Sequence, residues 1–205
     1  MTAARVPTTG GLDHRVSIGL IRFLRRPAVF FAANWAVLVG VVSVVGLVPA
    51  LAGATRATTH PQADDDVTFT ETVRHLRRTW RRDLPVTAGT WVFLLLLVAD
   101  AIVIANVDPG TRVFLTGAVV PVAWAVIAWL SAYVVSAVED DVDLRTVARA
   151  ATLLVVRRPL RALLAPALVL VLAPVWLLAP LTLAIGFSLP PWVLAKSWGP
   201  EPPRP

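Results

Sequence analysis

The sequence predicts an all-α, polytopic membrane protein, and three observations lead to this fold class. Only 16% of the residues are charged and 57% are hydrophobic, whereas a soluble domain carries about 25% charged residues. Long uncharged stretches alternate with short arginine-rich segments, which is typical of chains that cross a bilayer several times. Several of these stretches also have the roughly 20 residues that a helix needs to cross the hydrocarbon. We therefore expect a bundle of transmembrane helices.

Five spans are expected, and charge, turn residues or proline delimit each of them. The first covers residues 28–48, has no charge and ends at Pro49. The second covers 86–107, which is about 33 Å of helix, and Asp100 is its one charge. A short turn leads into the third, over 113–138.

The remaining apolar stretch is too long for one ordinary helix. Thirty-four uncharged residues separate Arg161 from Lys196, and Pro174 and Pro180 interrupt them. Because proline removes a helix hydrogen bond and clashes with the preceding turn, this stretch predicts two shorter spans, at 160–178 and 181–198. Four spans in total is the alternative.

A single membrane domain accounts for most of the chain. The spans and their connections form one unit over 28–198. A basic segment at 1–27 precedes it, and a disordered tail at 199–205 follows it, in which four of the seven residues are proline.

The distribution of arginine and lysine predicts the orientation, because cytoplasmic loops retain positive charge. With five spans, an outside N-terminus and a cytoplasmic C-terminus leave 13 of these residues in the cytoplasm and 6 outside. The pair Arg25-Arg26, at the outer end of the first span, conflicts with that arrangement. A re-entrant first segment with both flanks inside would remove the conflict. A cleaved signal peptide is a further alternative, but the apolar stretch exceeds the 7–15 residues of a typical signal core.

Two basic amphipathic helices are expected in the large loops, at 68–84 and 143–156. Each follows an acidic pair, Asp65-Asp66 or Asp140-Asp141, and the similar order of residues indicates a weak internal repeat. A capping box that starts at Thr68 begins the first helix. Apolar residues recur every three or four positions, in the first helix at Phe69, Val73, Leu76, Trp80 and Leu84, and in the second at Leu144, Val147, Ala151, Leu154 and Val155.

The arginines of these helices are expected to face anionic lipid headgroups. A net charge of +6 would indicate nucleic acid in a soluble protein, but nearly all the arginines lie beside apolar spans. Lipid phosphates are therefore the nearer partner, and no nucleic acid is expected. Docking of a cytoplasmic partner is the alternative role of this surface. The residues assigned to headgroup contact are Arg74, Arg77, Arg78, Arg81, Arg82, Arg157 and Arg158.

No catalytic, metal or cofactor site is expected. The chain lacks cysteine, and its three histidines lie outside the spans. It also lacks the usual nucleophile, phosphate-loop and zinc motifs. An intramembrane enzyme is therefore the least favoured class of function.

Two polar residues in the spans, Asp100 and Asn34, are the candidate functional groups. A carboxylate at the centre of a span costs about 2.5–3.5 kcal/mol on insertion scales, so it normally faces protein or water. The structural interpretation of Asp100 is a hydrogen bond to a neighbouring helix or a pair with Arg112. The functional interpretation is a proton or cation ligand in a small pathway. For Asn34 the two interpretations are an interhelical hydrogen bond and a contact with substrate.

Several short motifs follow one another along the chain: Asn34-Trp35 in the first span, Pro49 at its end, Ala54-Thr55 after it, Phe69 through Trp80 in the basic helix, and Asp100 late in the second span. In this order they resemble the YesL-like family of small bacterial integral membrane proteins, a domain of unknown function. The single phenylalanine at the start of the amphipathic helix departs from that family's pattern. The resemblance implies a bacterial plasma membrane and, because members often lie beside carbohydrate uptake genes, an accessory role with a membrane partner in sugar transport.

The leading hypothesis is a multi-pass membrane protein without a catalytic site. It would act as an accessory or scaffolding protein through lipid or protein contacts, with its C-terminus in the cytoplasm. The alternative is a small transporter or channel that uses Asp100 and Asn34.

Overall fold

A computed structural model of the chain describes residues 27–59 and 65–199, and all regular structure in these ranges is helical. The predicted all-α fold class is confirmed. The basic segment at 1–26, the connection at 60–64 and the tail at 200–205 lie outside the described residues, and so do the predictions that fall on them.

The helices of the described ranges follow one another with short connections. In chain order they are α1 (Pro27–Val42), α2 (Leu47–Thr59), α3 (Asp65–Asn106), α4 (Pro109–Ser136), α5 (Leu144–Arg157), α6 (Pro159–Leu172), α7 (Pro174–Leu177), α8 (Ala179–Leu181), a π-helical turn (Thr182–Gly186) and α9 (Leu189–Trp198).

Three helical segments of the described part are long and apolar enough to cross a membrane, judged by length and composition. They correspond to the second, third and fourth predicted spans, and they are Val67–Asn106, Pro109–Ser136 and Pro159–Leu177. The chain is therefore a helical membrane protein. The first and fifth predicted spans, at 28–48 and 181–198, do not form as single helices.

The stretch at 28–48, where the sequence predicts one span, forms a helical hairpin of α1 and α2. The two helices pack so closely that a Cβ atom at Gly40 would overlap the side chain of Ala50. The prediction of a single helix over this stretch is corrected, and the geometry is that of the re-entrant alternative. The apolar residues buried between the two helices are Ala33, Val37, Ala50 and Ala54.

The reversal between α1 and α2 depends on contacts that are distant in sequence. Val44 in the turn has a φ of +60°, a left-handed conformation that β-branched residues rarely adopt. Its carbonyl accepts a hydrogen bond of 2.7 Å from Trp91 Nε1 of α3. The tip of the hairpin is thus attached to a helix that follows it by more than 40 residues.

Helix α2 packs antiparallel against the first half of α3. Gly53 lies against Thr72 and His75, with an ideal Cβ position 3.1 Å from the Thr72 carbonyl oxygen, and Gly46 lies against Leu76. Small residues at such positions let two helix backbones approach closely. Helices α1, α2 and α3 therefore form one closely packed unit.

Helix α3 joins the predicted amphipathic helix and the second predicted span into one helix of 42 residues, about 63 Å long. It begins three residues before Thr68, so Thr68 is inside the helix and does not cap it. Pro85 lies within α3 without ending it.

The buried face of α3 is polar, whereas much of the predicted apolar stripe is exposed and only Leu76 of it packs against the α1–α2 hairpin. Phe69 and Trp80 of that stripe are 40% and 37% exposed. Thr72 and Thr79 each donate to a carbonyl of their own helix at 2.9 Å, and the methyl group of Thr72 lies beside Gly53 of α2. The buried residues are Thr68, Thr72, His75, Thr79, Asp83 and Thr87.

The second amphipathic helix, α5, follows the prediction. Asp143 caps its N-terminus by accepting a hydrogen bond from the Arg145 amide at 3.2 Å. Val147 and Ala151 of the predicted stripe are buried in the main core, and the other three residues of the stripe pack against it. Residues of α4 complete this core, including Ala128, Ala132 and Tyr133.

The apolar stretch after α5 is broken at several points, so residues 181–198 do not form the single span that the sequence predicts. The π-helical turn Thr182–Gly186 precedes α9, and proline occupies the first turn of α6, α7, α8 and α9. Helices α6 and α9 form a hairpin whose ends meet, because Arg158 and Arg161 both donate to the carbonyl of Trp198.

The described basic connections lie at one end of the bundle. Arg56, near the end of α2, contacts Asp140 after α4, and Trp198 Nε1 at the end of α9 donates to Ser131 near the end of α4. Since α1 runs antiparallel to α2, it also starts at this end, which we call the basic end. The α3–α4 turn with Arg112 lies at the opposite end.

Replacing Gly40 tests the α1–α2 hairpin. Gly40→Ala should lower the free energy of unfolding by about 1–3 kcal/mol, because the added methyl group overpacks the contact with Ala50. Denaturation of the purified protein in detergent would measure this. Gly117→Ala is the matched control, since a Cβ there meets no atom within 4 Å. Equal stability of the two variants would contradict the hairpin.

Candidate functional site

A cluster of charged side chains around Asp140 connects α2, α3 and the loop after α4. Arg56 Nη1 donates to Asp140 Oδ1 at 2.9 Å, Arg78 Nη1 donates to Oδ2 at 3.2 Å, and His75 Nδ1 also bonds to Oδ1. Burial would raise the pKa of the Asp140 carboxyl, but the neighbouring His75, Arg78 and Arg56 outweigh it and hold this pKa below its usual value. The ionised carboxylate therefore holds three elements together.

Asp83 and Arg82 form a second cluster, inside the protein. The Asp83 side chain is fully buried. It accepts two hydrogen bonds from Arg82, at 2.8 and 3.0 Å, and one from the Tyr133 hydroxyl at 2.7 Å. Arg82 donates further to three carbonyls at and beyond the end of α4, those of Ala137, Glu139 and Val142.

This second cluster is a structural connection between α3 and α4. An arginine fork on a carboxylate is among the strongest pairs that proteins use, and here the remaining arginine donors bond to the backbone that ends α4. Asp83 has partners on both oxygens. The pair therefore fixes where the loop after α4 sits against α3.

Asn34 bonds to the backbone of the π-helical turn. Its Nδ2 donates to the carbonyls of Thr182 at 3.0 Å and Leu183 at 2.8 Å, and its Oδ1 accepts from the Phe187 amide at 2.6 Å. The side chain is fully buried. Both of its amide hydrogens are engaged, so the structure places Asn34 in the structural role that the sequence left open.

Asp100 is half-buried on α3 and has no hydrogen bond or ion pair with any other residue in 27–59 or 65–199. Its expected pair with Arg112 is not formed. Arg112 instead donates to carbonyls in the last turn of α3 and just beyond it, those of Ile104, Ala105 and Val107. The structure does not bring Asp100 and Asn34 together.

The arginines assigned to headgroup contact divide into two groups. Arg78 is 62% exposed although it also bonds to Asp140. Arg82 has a side chain that is 10% exposed, and half-buried Arg158 donates to the Trp198 carbonyl. Arg82 and Arg158 both donate to carbonyls at helix ends, so each also has a structural role within the chain. The other exposed members are Arg74, Arg77, Arg81 and Arg157.

A small open cavity of about 70 Å³ lies beside Asp140. It has room for a few water molecules and is smaller than the roughly 300–1,000 Å³ of typical ligand pockets. Its wall combines Gly53 and Ala57 with charged side chains, including Arg56, Glu71 and Arg74. Across the residues that the structure describes, no group of three or more histidine or acidic side chains could hold a metal ion.

Sequence reasoning did not identify Asp83, His75 and Tyr133 as members of these clusters. One signal was present, because threonine, histidine and aspartate recur along α3 every three or four residues. That spacing defines a helix face as regular as the apolar stripe. The partners Asp140 and Tyr133 lie at least 50 residues away, so local spacing could not supply them.

Comparisons with known proteins return nothing, since no family model, no curated protein and no solved structure matches the chain. The resemblance to the YesL-like family therefore stays a prediction.

Removing the Asp83 carboxylate from the interior cluster should lower the free energy of unfolding more than removing the Tyr133 hydroxyl. Asp83→Leu leaves Arg82 buried with no carboxylate, and we expect a loss of about 3–5 kcal/mol in the free energy of unfolding. Tyr133→Phe removes a single hydrogen bond and should cost about 1 kcal/mol.

Unfolding in detergent would measure both losses, and Asp141→Leu, on an exposed loop position, is the control for the change from aspartate to leucine. An Asp83→Leu variant as stable as Asp141→Leu would show that the cluster does not hold α3 to α4.

Proposed function

We propose that this chain is a non-catalytic, multi-pass membrane protein of the bacterial plasma membrane that works through contacts with anionic lipid and with a membrane partner. The observation that carries the proposal is the division of its polar groups. Inside the bundle, Asn34, Arg82 and Asp83 bond to other groups of the chain, whereas Arg74, Arg77, Arg78 and Arg81 are exposed on α3.

The exposed arginines support the lipid contact. Arg74, Arg77, Arg78 and Arg81 follow one another on the outer surface of α3 beside the exposed apolar side chains of Phe69, Trp80 and Leu84. A helix with arginine above an apolar stripe fits the interface between headgroups and hydrocarbon. Arg81 lies 5.2 Å from the centre of the Trp80 ring, which places a cation next to an aromatic ring typical of that depth.

The geometry of the hairpins supports a cytoplasmic basic end. If the segments before α1 and after α9 lie at that end, it carries 18 of the 19 arginines and lysines, and Arg112 alone lies at the other. This asymmetry is larger than the 13 against 6 of the five-span arrangement. Both termini are then cytoplasmic, and the pair Arg25-Arg26 no longer conflicts with the positive-inside rule.

Cysteine labelling tests this orientation, since the chain has no cysteine of its own. Cysteines introduced singly at Thr8, Thr70 and Thr146 should resist an impermeant thiol reagent in intact cells and react after permeabilisation. A cysteine at Gly110 should react in intact cells. Labelling of Thr8 together with Gly110 in intact cells would restore the outside N-terminus, and labelling of Thr70 would reverse the orientation.

The link to sugar import comes from the YesL-like resemblance, which implies a sugar-transport partner. The transporter alternative rests on Asp100 alone, because the amide hydrogens of Asn34 are bound to Thr182 and Leu183. The accessory role is consistent with both residues, since Asp100 is left for a partner and the Asn34 side chain is already hydrogen-bonded within the chain.

Purification from native membranes tests the accessory role. A tagged chain, extracted in mild detergent, should retain one membrane protein at a fixed ratio, and mass spectrometry would identify it. Cells that express the untagged chain are the control for non-specific recovery. Recovery of lipid with no protein at a fixed ratio would contradict the proposal.

A further inference from the structure

The halves of α3 and α4 that lie farthest from the basic end lead to the turn with Arg112. Residues 92–106 of α3 and 109–122 of α4, which we call the α3–α4 arm, contain no buried residue. The α1–α2 hairpin reaches α3 at Trp91, just before the arm begins. The arm therefore presents its side chains to whatever surrounds the protein in the membrane.

Asp100 lies on this arm within an apolar helix. It is six residues, or about 9 Å, from the end of α3, among apolar neighbours. No residue of the described part pairs with it. A carboxylate in a span is costly unless it faces protein or water. The described part of the chain does not supply such a partner for Asp100.

A second feature lies on the same face of α3. Gly89 precedes Asp100 by 11 residues, which at about 100° per residue places the two within about 20° of each other around the helix. A Cβ at Gly89 would meet no atom within 4 Å. Leu96, 58% exposed, lies between them. Trp91, which contacts the α1–α2 hairpin, is on the opposite face of α3.

We infer that the strip from Gly89 through Leu96 to Asp100 docks a transmembrane helix of another subunit, one that carries a cationic or hydrogen-bond-donating side chain at the depth of Asp100. Gly89 lets the two backbones approach, as small residues do in membrane helix pairs. The donor, an arginine, lysine, histidine, asparagine or glutamine, bonds to the carboxylate. This inference rests on the proposed accessory role and names the chemistry of its partner.

A second copy of this chain fits the strip poorly. A symmetric dimer presents the same patch from both subunits, so two Asp100 carboxylates would face each other, and like charges repel strongly in a medium of low dielectric. Arg112, the nearest cation in sequence, is bound to the end of α3. A different subunit that supplies a donor avoids the facing carboxylates and does not depend on Arg112.

Site-specific photocrosslinking in the native membrane tests the inference on the full chain. A photoreactive residue at Leu96 should crosslink to a peptide of a membrane protein that lies in a span and within two turns of one of those five donors. Val98 is the matched control, because it is 59% exposed and lies on the opposite side of the helix. A probe at Val98 should not give that crosslink.

Two variants with separate effects on the strip complete the test. Asp100→Leu removes the acceptor, and Gly89→Leu places a large side chain where a Cβ atom meets no atom within 4 Å. Each should reduce the Leu96 crosslink and the co-purified partner about tenfold at unchanged membrane abundance. Val98→Leu should leave both unchanged.

The results that would contradict the docking strip differ from those that would contradict the accessory role. A Leu96 crosslink to a second copy of the chain, or a partner retained by both Asp100→Leu and Gly89→Leu, overturns the docking strip. A Leu96 probe that labels only lipid, while the tagged chain still retains its partner, overturns the strip but not the accessory role. Absence of any retained partner overturns the accessory role itself.

Discussion

The structure depends on side-chain donors that satisfy backbone carbonyls where helices end or break. In a medium without water, every unpaired peptide group costs several kcal/mol, and each helix end leaves carbonyls without partners. Arg112 bonds to the end of α3, Arg82 to the end of α4, and Arg158 with Arg161 to the end of α9. Asn34 does the same at the π-helical turn.

Tryptophan indoles extend this pattern to the irregular parts of the chain. Trp91 donates to the carbonyl of Val44 in the α1–α2 turn at 2.7 Å, and Trp176 donates to Gly186 at the end of the π-helical turn at 2.8 Å. Both acceptors lie where regular helix hydrogen bonding stops. A short re-entrant hairpin and a broken return segment can therefore exist beside long regular helices, because donors from elsewhere complete their hydrogen bonds.

The elements that depend on local patterns could be predicted from the sequence. α5 has a capping aspartate, a regular apolar stripe and a terminating proline, and the structure buries that stripe. α3 has an equally regular stripe and leaves Phe69, Trp80 and Leu84 of it exposed. Local periodicity shows that a helix has two faces, but the close approach of α2 at Gly53 decides which face is buried. Only small groups and threonine methyls fit there.

The same limit explains the errors in topology. Residues 28–48 satisfy the length and hydropathy of a span, and no proline or charge marks position 44. Their reversal depends on the fit of Gly40 against Ala50 and on a hydrogen bond from Trp91, and both are tertiary contacts. Arginine counting depends on the same tertiary contacts, because the orientation that it favours changes when the first span becomes a hairpin.

The depth of the α1–α2 hairpin bears on both functions considered for Asp100. Its tip contacts Trp91, which is 15 residues, or about 22 Å, before the end of α3. Beyond that level, α3 and α4 bury none of their residues in 92–122. Because α3 and α4 alone enclose no pathway, a proton or cation route past Asp100 would need further walls, from α6 and α7 or from other subunits. An accessory contact at Asp100 needs another subunit. Under the proposed accessory role, the functional unit around this carboxylate is therefore an assembly.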